Sequence, residues 1–176
     1  MTDTQPSPAP LVLVALCGGG WHRETQRILE RMPHGAFRFA YAYGHHSGVH
    51  GAARLAMPHA GPCFPIHYLG PTQRRWSRFL LNPLRLAASF VEAWRMVRRV
   101  RPSAVLALGT ATAIPLFVAA RCHGAACVFV ESLTRVEKLS VTGAIVHRLR
   151  LADRFYVQWL GLAGQVRGAI FAGAVA

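Results

Sequence analysis

Groups able to do acid–base chemistry are few in this chain, so they can be weighed one by one. The seven acids are Asp3, Glu24, Glu30, Glu92, Glu131, Glu137 and Asp153, and Asp3 lies in a Pro-rich leader. Glu131 ends an otherwise apolar run, CVFVE (127–131), which aims it at whatever lies beyond a strand end; the alternative is a buried acid paired with Arg135. His22 and Glu24 follow a Gly-rich turn, Cys17-Gly18-Gly19-Gly20. An imidazole there can take a proton from an acceptor hydroxyl, while Glu24 can simply complement a helix dipole. Glycines let the backbone approach a phosphate closely, and a helix N-terminus adds N–H donors. Gly18, Gly19 and Gly20 are therefore phosphate-binding candidates, although a tight turn without a ligand fits the same residues. The turn is not GxGxxG, which argues against an ordinary dinucleotide site.

Metal chemistry has little to build on. His34, His45, His46, His50 and His59 cluster in or near one segment, but their spacing is irregular and no carboxylate accompanies them. Cys17, Cys63, Cys122 and Cys127 form no CxxC pair and read as reduced, mostly buried thiols. No metal and no cofactor is expected.

These groups need a scaffold, and 176 residues with 52% apolar and 15% charged side chains suffice for one folded domain. Residues 1–10 read as a disordered leader without the basic region of a signal peptide, and 11–176 as a single domain. LVLVAL (11–16) is a continuous aliphatic run, the pattern of a strand buried on both faces. A helix follows over about 21–32, then a strand at 37–43, a loop at 44–63 and a short strand at 65–69. Asn82-Pro83 starts a helix that Arg101-Pro102 stops, with Leu86, Phe90, Ala93, Val97 and Val100 on its core face, widened by Leu84, Val91 and Trp94. AVLAL (104–108), a small-residue turn at 109–112, a helix to Cys122, a strand at 127–131, a loop and basic helix within 133–150, a strand at 155–158 and one last element complete the chain. Strands alternating with helices imply an α/β fold, a Rossmann-like parallel sheet with helices on both faces. In such a sheet the strand carboxyl ends line one crevice. That crevice should hold Gly18–Gly20, then Gly109, Thr110 and Thr112, then Glu131 and Ser132, then Gln158.

The net charge is +13, from 20 basic residues of which only Lys138 is lysine. Arg74, Arg75, Trp76, Arg78 and Phe79 mix guanidinium and aromatic groups just before the Asn82 helix, a composition suited to an anionic membrane surface. No nucleic-acid motif interleaves with the arginines, so no nucleic-acid partner is expected. No apolar run reaches the ~20 residues that cross a bilayer.

The stretch 130–159 resembles the signature of PssD-type polysaccharide-biosynthesis subunits. It is similar too to the membrane-anchor subunit of the eukaryotic dolichol-linked N-acetylglucosamine transferase. The matching residues are Glu131-Ser132, Arg135-Val136, Leu139-Ser140-Val141-Thr142-Gly143, Asp153 and Val157-Gln158-Trp159. Gly109 to Pro115 resembles the family's small-residue turn, with Ala111 where glycine is expected. Cys17 to Glu24 resembles its Gly-Gly-His segment, with Trp21 in the His position and His22 one residue late.

The resemblance implies the N-terminal, acceptor-binding half of a GT-B glycosyltransferase whose nucleotide-sugar-binding half is a separate subunit. The pair would move a sugar from a UDP-sugar to a polyprenyl-diphosphate-linked saccharide in exopolysaccharide biosynthesis, at the cytoplasmic face of the inner membrane, with this chain peripheral or monotopic. It implies acceptor phosphate at Gly18–Gly20, Thr110 and Thr112, and a base among His22, Glu24 and Glu131. Ser132, Arg135, Ser140, Thr142, Gly143, Asp153, Gln158 and Trp159 would shape the cleft or the subunit interface. The competing expectation is a non-catalytic membrane anchor or scaffold that recruits the catalytic subunit.

Overall fold

Every residue of Leu11–Leu16 (β1) is apolar, and the strand lies inside the sheet with both faces covered. The computed structural model describes residues 9–17, 20–44, 57–67 and 83–175. Gly18, Gly19, the histidines at 45, 46 and 50, the segment with Arg74 to Phe79, and Asn82 lie outside the described residues. The Ala9 and Pro10 carbonyls accept from the Arg38 side chain and backbone N–H, at 3.0 and 2.9 Å.

Six further strands join β1: Arg38–Gly44 (β2), Cys63–Ile66 (β3), Ala104–Leu108 (β4), Ala126–Val130 (β5), Arg154–Val157 (β6) and Ile170–Phe171 (β7). All pairs are parallel, in the order β3-β2-β1-β4-β5-β6-β7. The order reverses between β1 and β4, and in open parallel sheets a crevice opens beyond the strand ends at that point.

The helices are Gly20–Glu30 (α1), Pro83–Val100 (α2), Ala113–Cys122 (α3), Val141–Arg148 (α4) and Leu160–Gln165 (α5). α1 covers one face through Leu29, with Ile28 and Met32 beside it, over Val14, Leu16, Tyr41 and Leu106. α2 to α5 cover the other, where Phe117 meets Phe129 edge-on at 6.4 Å and Phe129 stacks on Phe155 at 5.1 Å. Fully burying an aromatic of this size contributes about 1.5–3 kcal/mol, so this row anchors the second face. His59 belongs to the core: its ring stacks on Phe39, its Nε2 bonds the Leu29 carbonyl at 2.8 Å, and its own carbonyl accepts from the Tyr41 hydroxyl at 2.7 Å.

Two expectations need correction. The third strand is Cys63–Ile66 rather than 65–69, and His67 just beyond it bonds Glu92 of α2 through both its backbone N–H and Nδ1, at 2.7 and 2.6 Å. The inward side of α2 is Ser89, Ala93, Met96 and Val97, whereas Leu84, Leu86, Val91 and Trp94 are exposed. Small side chains at 89 and 93 let α2 lie close against its neighbours, which turns the larger apolar residues outward. Of the four thiols, Cys17 and Cys127 are buried, Cys63 is half-buried and Cys122 is exposed.

Candidate functional site

Three strand ends are laced together at the crevice. The Gly109 N–H donates to the Val130 carbonyl at 3.1 Å, and the Glu131 N–H to the Tyr156 carbonyl at 2.8 Å. Gly109 makes its turn in the left-handed region (φ +57), where a side chain is strained, and a Cβ there would also meet the Trp21 indole of α1. Trp21, missed as a site residue, thus packs across the ends of β4 and β5.

Glu24 joins α1 to this lacing. Its carboxylate accepts from the Ser132 hydroxyl at 3.1 Å, the Leu133 N–H at 2.9 Å and the Gln158 side-chain amide at 2.9 Å. Gln158 is buried; its amide also donates to the Glu131 carbonyl at 3.0 Å, and its oxygen accepts from the Val175 N–H at 2.8 Å. Only this amide orientation satisfies all three partners. Ser132 also shares a hydroxyl contact with Thr134 at 3.1 Å, and the Trp159 indole donates to the Leu133 carbonyl at 2.7 Å. Glu24, Ser132, Gln158 and Trp159 are therefore brought together as the sequence suggests. Leu133, Thr134 and Val175 join them mostly through backbone groups, which a motif of side-chain letters does not reveal.

Glu131 is fully buried. One carboxylate oxygen accepts from the Ser132 N–H at 3.0 Å; the other accepts from the Ser140 N–H at 2.9 Å and the Ser140 hydroxyl at 3.0 Å. The same hydroxyl accepts from the Gly143 N–H at 2.9 Å and so caps α4. Thr142 is buried in that first turn. Three donors and no exposure make Glu131 a positioning acid rather than a base open to an acceptor. Among the described residues it has no ion pair with Arg135, which lines a shallow cavity of about 230 Å³ formed by residues 134–138. Burial pushes the Glu131 carboxyl up, opposed by the Ser140 and Ser132 hydrogen bonds and by the Arg135 charge. A raised folded-state value means the native state holds the proton more tightly than the unfolded chain, so stability is gained in acid and lost as pH rises from 4.5 through the raised value. Glu131→Gln is expected to flatten this part of the pH dependence in urea melts between pH 4 and 7; an unchanged slope would show that Glu131 does not carry it.

Thr110 and Thr112 are buried, with their hydroxyls 2.9 Å from each other. The two hydroxyls engage each other in the turn before α3. Asp153, expected at the cleft or the subunit interface, does not lie at the crevice. It accepts from the Cys127 N–H at 2.7 Å and from Arg121 at 3.1 Å, at the amino end of the sheet. That is the length of β5 away from the crevice, about 13 Å. Burial, with the Asp153 charge adding to it, pushes the Cys127 thiol up to about 12 and leaves it protonated. Asp153→Ala should cost about 1–2 kcal/mol, chiefly the orphaned Cys127 N–H because the Arg121 pair is half-exposed.

His22 differs from both acids. Among the described residues its Nδ1 is a buried side-chain polar atom with no hydrogen-bond partner, and burial lowers its pKa. Gly20 beside it is exposed, with nothing within 4 Å of an added Cβ. Among the described residues no group of three or more His, Cys, Asp or Glu is arranged to hold a metal.

A parallel Rossmann-like sheet with its crevice at the β1–β4 switch point is the architecture of the N-terminal half of GT-B glycosyltransferases. The Acinetobacter baumannii MurG structure superposes with a TM-score of 0.62 at 18% identity, over 86% of this chain and 41% of that one. Phytolacca americana UGT2 gives 0.58 at 12% identity, over 95% and 55%. The chain belongs to the Alg14-like family: the family described as oligosaccharide biosynthesis protein Alg14 like matches residues 12–175. It is similar to the UDP-N-acetylglucosamine transferase subunit ALG14 of Homo sapiens (35% identity over 86 residues), Mus musculus (35% over 120) and Yarrowia lipolytica (37% over 83). Those matches cover 46%, 65% and 44% of this chain, and 39%, 54% and 38% of the relatives.

Proposed function

We propose that this chain is the acceptor-side subunit of a two-part glycosyltransferase acting on a lipid-diphosphate-linked saccharide at a membrane surface. A nucleotide-sugar-binding subunit would complete the cleft. The reading is supported by a sheet that supplies one half of a GT-B architecture, by family membership, and by relatives named as transferase subunits. The observation that carries it is the His22 Nδ1 at the start of α1, which has no hydrogen-bond partner among the described residues. A buried polar atom without a partner is rare and marks a place where something else binds or reacts. With its pKa lowered, the imidazole is neutral near pH 7 and can accept the proton of an acceptor hydroxyl.

In this reading Glu24 and Glu131 are positioning residues. Glu24 fixes α1 against Ser132, Leu133 and Gln158, which sets the height of His22 over the crevice; Glu131 fixes the start of α4. Gly18–Gly20 hold the acceptor phosphate. Arg74, Arg75, Trp76, Arg78 and Phe79 face anionic lipid on the cytoplasmic side of the inner membrane, and the product feeds exopolysaccharide assembly. UDP-N-acetylglucosamine is the first donor to test, since the relatives are named for it.

The full engagement of both acids favours a second reading, in which the chain is a scaffold and all chemistry belongs to the partner. Co-expression with a candidate partner, followed by transfer assays on membranes with each subunit alone and both together, separates them. Activity only with both, lost in His22→Ala while the complex persists, supports a shared cleft. Activity from the partner alone, or an unaffected His22→Ala, leaves the scaffold.

A further inference from the structure

The crevice accounts for the inward side of α4 but not for its outward side. Thr142, Gly143 and Val146 are buried, whereas Val141, Ile145 and Leu149 are 52%, 37% and 60% exposed. Their i, i+4, i+8 spacing puts them in one row along the helix. At the carboxyl end of that row lies a cavity of about 420 Å³ lined by His147, Arg150, Phe155 and Arg167 among others. His147 Nε2 bonds the Arg167 carbonyl at 2.9 Å and its ring meets Phe155 edge-on, which ties the cavity walls together. From residue 141 to the end of the sequence there are four arginines, Arg148, Arg150, Arg154 and Arg167, against one acid, Asp153. That carboxylate also lines the cavity but is already engaged by Arg121 and the Cys127 N–H. An exposed apolar row beside guanidiniums is the composition of a helix lying in a lipid interface, with side chains among acyl carbons and cations at headgroup level.

We infer that α4 and the cavity at its end form a phospholipid contact: Val141, Ile145 and Leu149 enter the acyl boundary, and Arg150 and Arg167 receive an anionic headgroup phosphate. This surface lies at a different place in the chain from residues 74–79, and it deepens the proposed membrane-surface function, on which it rests. Charge complementarity selects an anionic lipid, because Arg150 and Arg167 line the cavity at the end of the row and its one acid, Asp153, is already engaged.

Co-sedimentation of the full chain with phosphatidylcholine vesicles, with and without phosphatidylglycerol, tests this. Ile145→Ser combined with Leu149→Ser should weaken binding about tenfold or more, because two partly exposed aliphatic side chains lose their lipid burial. Arg150→Gln combined with Arg167→Gln should weaken binding about fivefold per guanidinium, on the anionic vesicles only. Circular dichroism of both variants should match the wild type. Inorganic phosphate at matched ionic strength should leave vesicle binding unchanged; displacement by it would overturn the lipid assignment in favour of a soluble phosphate compound. If both variants bind like the wild type while Arg74→Gln with Arg78→Gln loses binding, the inference falls and the membrane reading stands. If the wild type binds neither vesicle, the membrane reading falls and takes the inference with it. Variants that keep vesicle binding but release the partner subunit in a pull-down would also overturn it, assigning the row to a protein interface.

Discussion

Sugar transfer by the reconstituted pair is expected to drop by about 10²–10⁴-fold in His22→Ala, the range by which a positioned general base accelerates proton transfer. The thermal midpoint should move little, since the Nδ1 of His22 has no partner to lose among the described residues. Burial lowers the His22 pKa from 6.5, so the base form persists to lower pH than for an ordinary imidazole. The acid limb of the rate profile should lie below pH 6.5 and vanish in the variant. A change confined to KM, with kcat and the pH profile intact, would make His22 a binding group and defeat the base assignment. Glu24→Gln provides the comparison: it disturbs the height of α1 without removing the imidazole, so it should lower kcat while leaving the acid limb in place.

Gly143→Ala is expected to be among the most destabilising single substitutions in the chain. A Cβ at that position would overlap Glu131 Oε2 and lie 3.1 Å from Ser140 Oγ. Neither neighbour can retreat freely: the carboxylate is fixed by three donors in a site with no exposure, and the hydroxyl caps α4. Overpacking costs about 1–3 kcal/mol, and a buried acid deprived of donors about the same again. The sum, about 2–6 kcal/mol, corresponds to roughly 5–20 °C in Tm for a domain of this size. Thermal melts in the presence of the partner subunit would measure it. Removing the obstacle should rescue part of the loss, so Glu131→Ala with Gly143→Ala should be less unstable than the two single effects added together. Strict additivity would show that the overlap is not what Gly143 avoids.

Most strands could be read from composition because a parallel sheet buried on both faces demands continuous aliphatic runs. LVLVAL and AVLAL announce themselves, and α2 begins at Pro83 and ends just before Arg101-Pro102 as expected. The third strand was misplaced because Pro65 and Cys63 carry no strand pattern; the strand exists through pairing with Tyr41 to Gly44. Ala93, Val97 and Val100 lie on the inward side of α2 as expected, but Leu84, Leu86, Val91 and Trp94 do not, and Ser89 takes a place there because it is small. Membership in the family was legible from 130–159, where Glu131, Ser140 and Gly143 are spaced for one another. The roles were not. A carboxylate at a strand end can face a cleft or be sealed under a helix cap, and only the positions of Ser140 and Gly143 in space decide between them. Asp153 shows the same gap: it sits in the motif but serves the opposite end of the sheet.

The strand order has a further consequence. β3, β2 and β1 all come from before residue 67, and β4 to β7 from after residue 103. Within the sheet the two parts of the chain therefore share one ladder, β1–β4 from Val12↔Ala104 to Ala15↔Ala107, while the Glu24 and His67 hydrogen bonds cross the same division outside it. Among the described residues, a break between β3 and α2 divides no strand and interrupts no other ladder. Two separately translated fragments carrying the two parts would each keep a contiguous half-sheet and could reunite along that ladder and those hydrogen bonds.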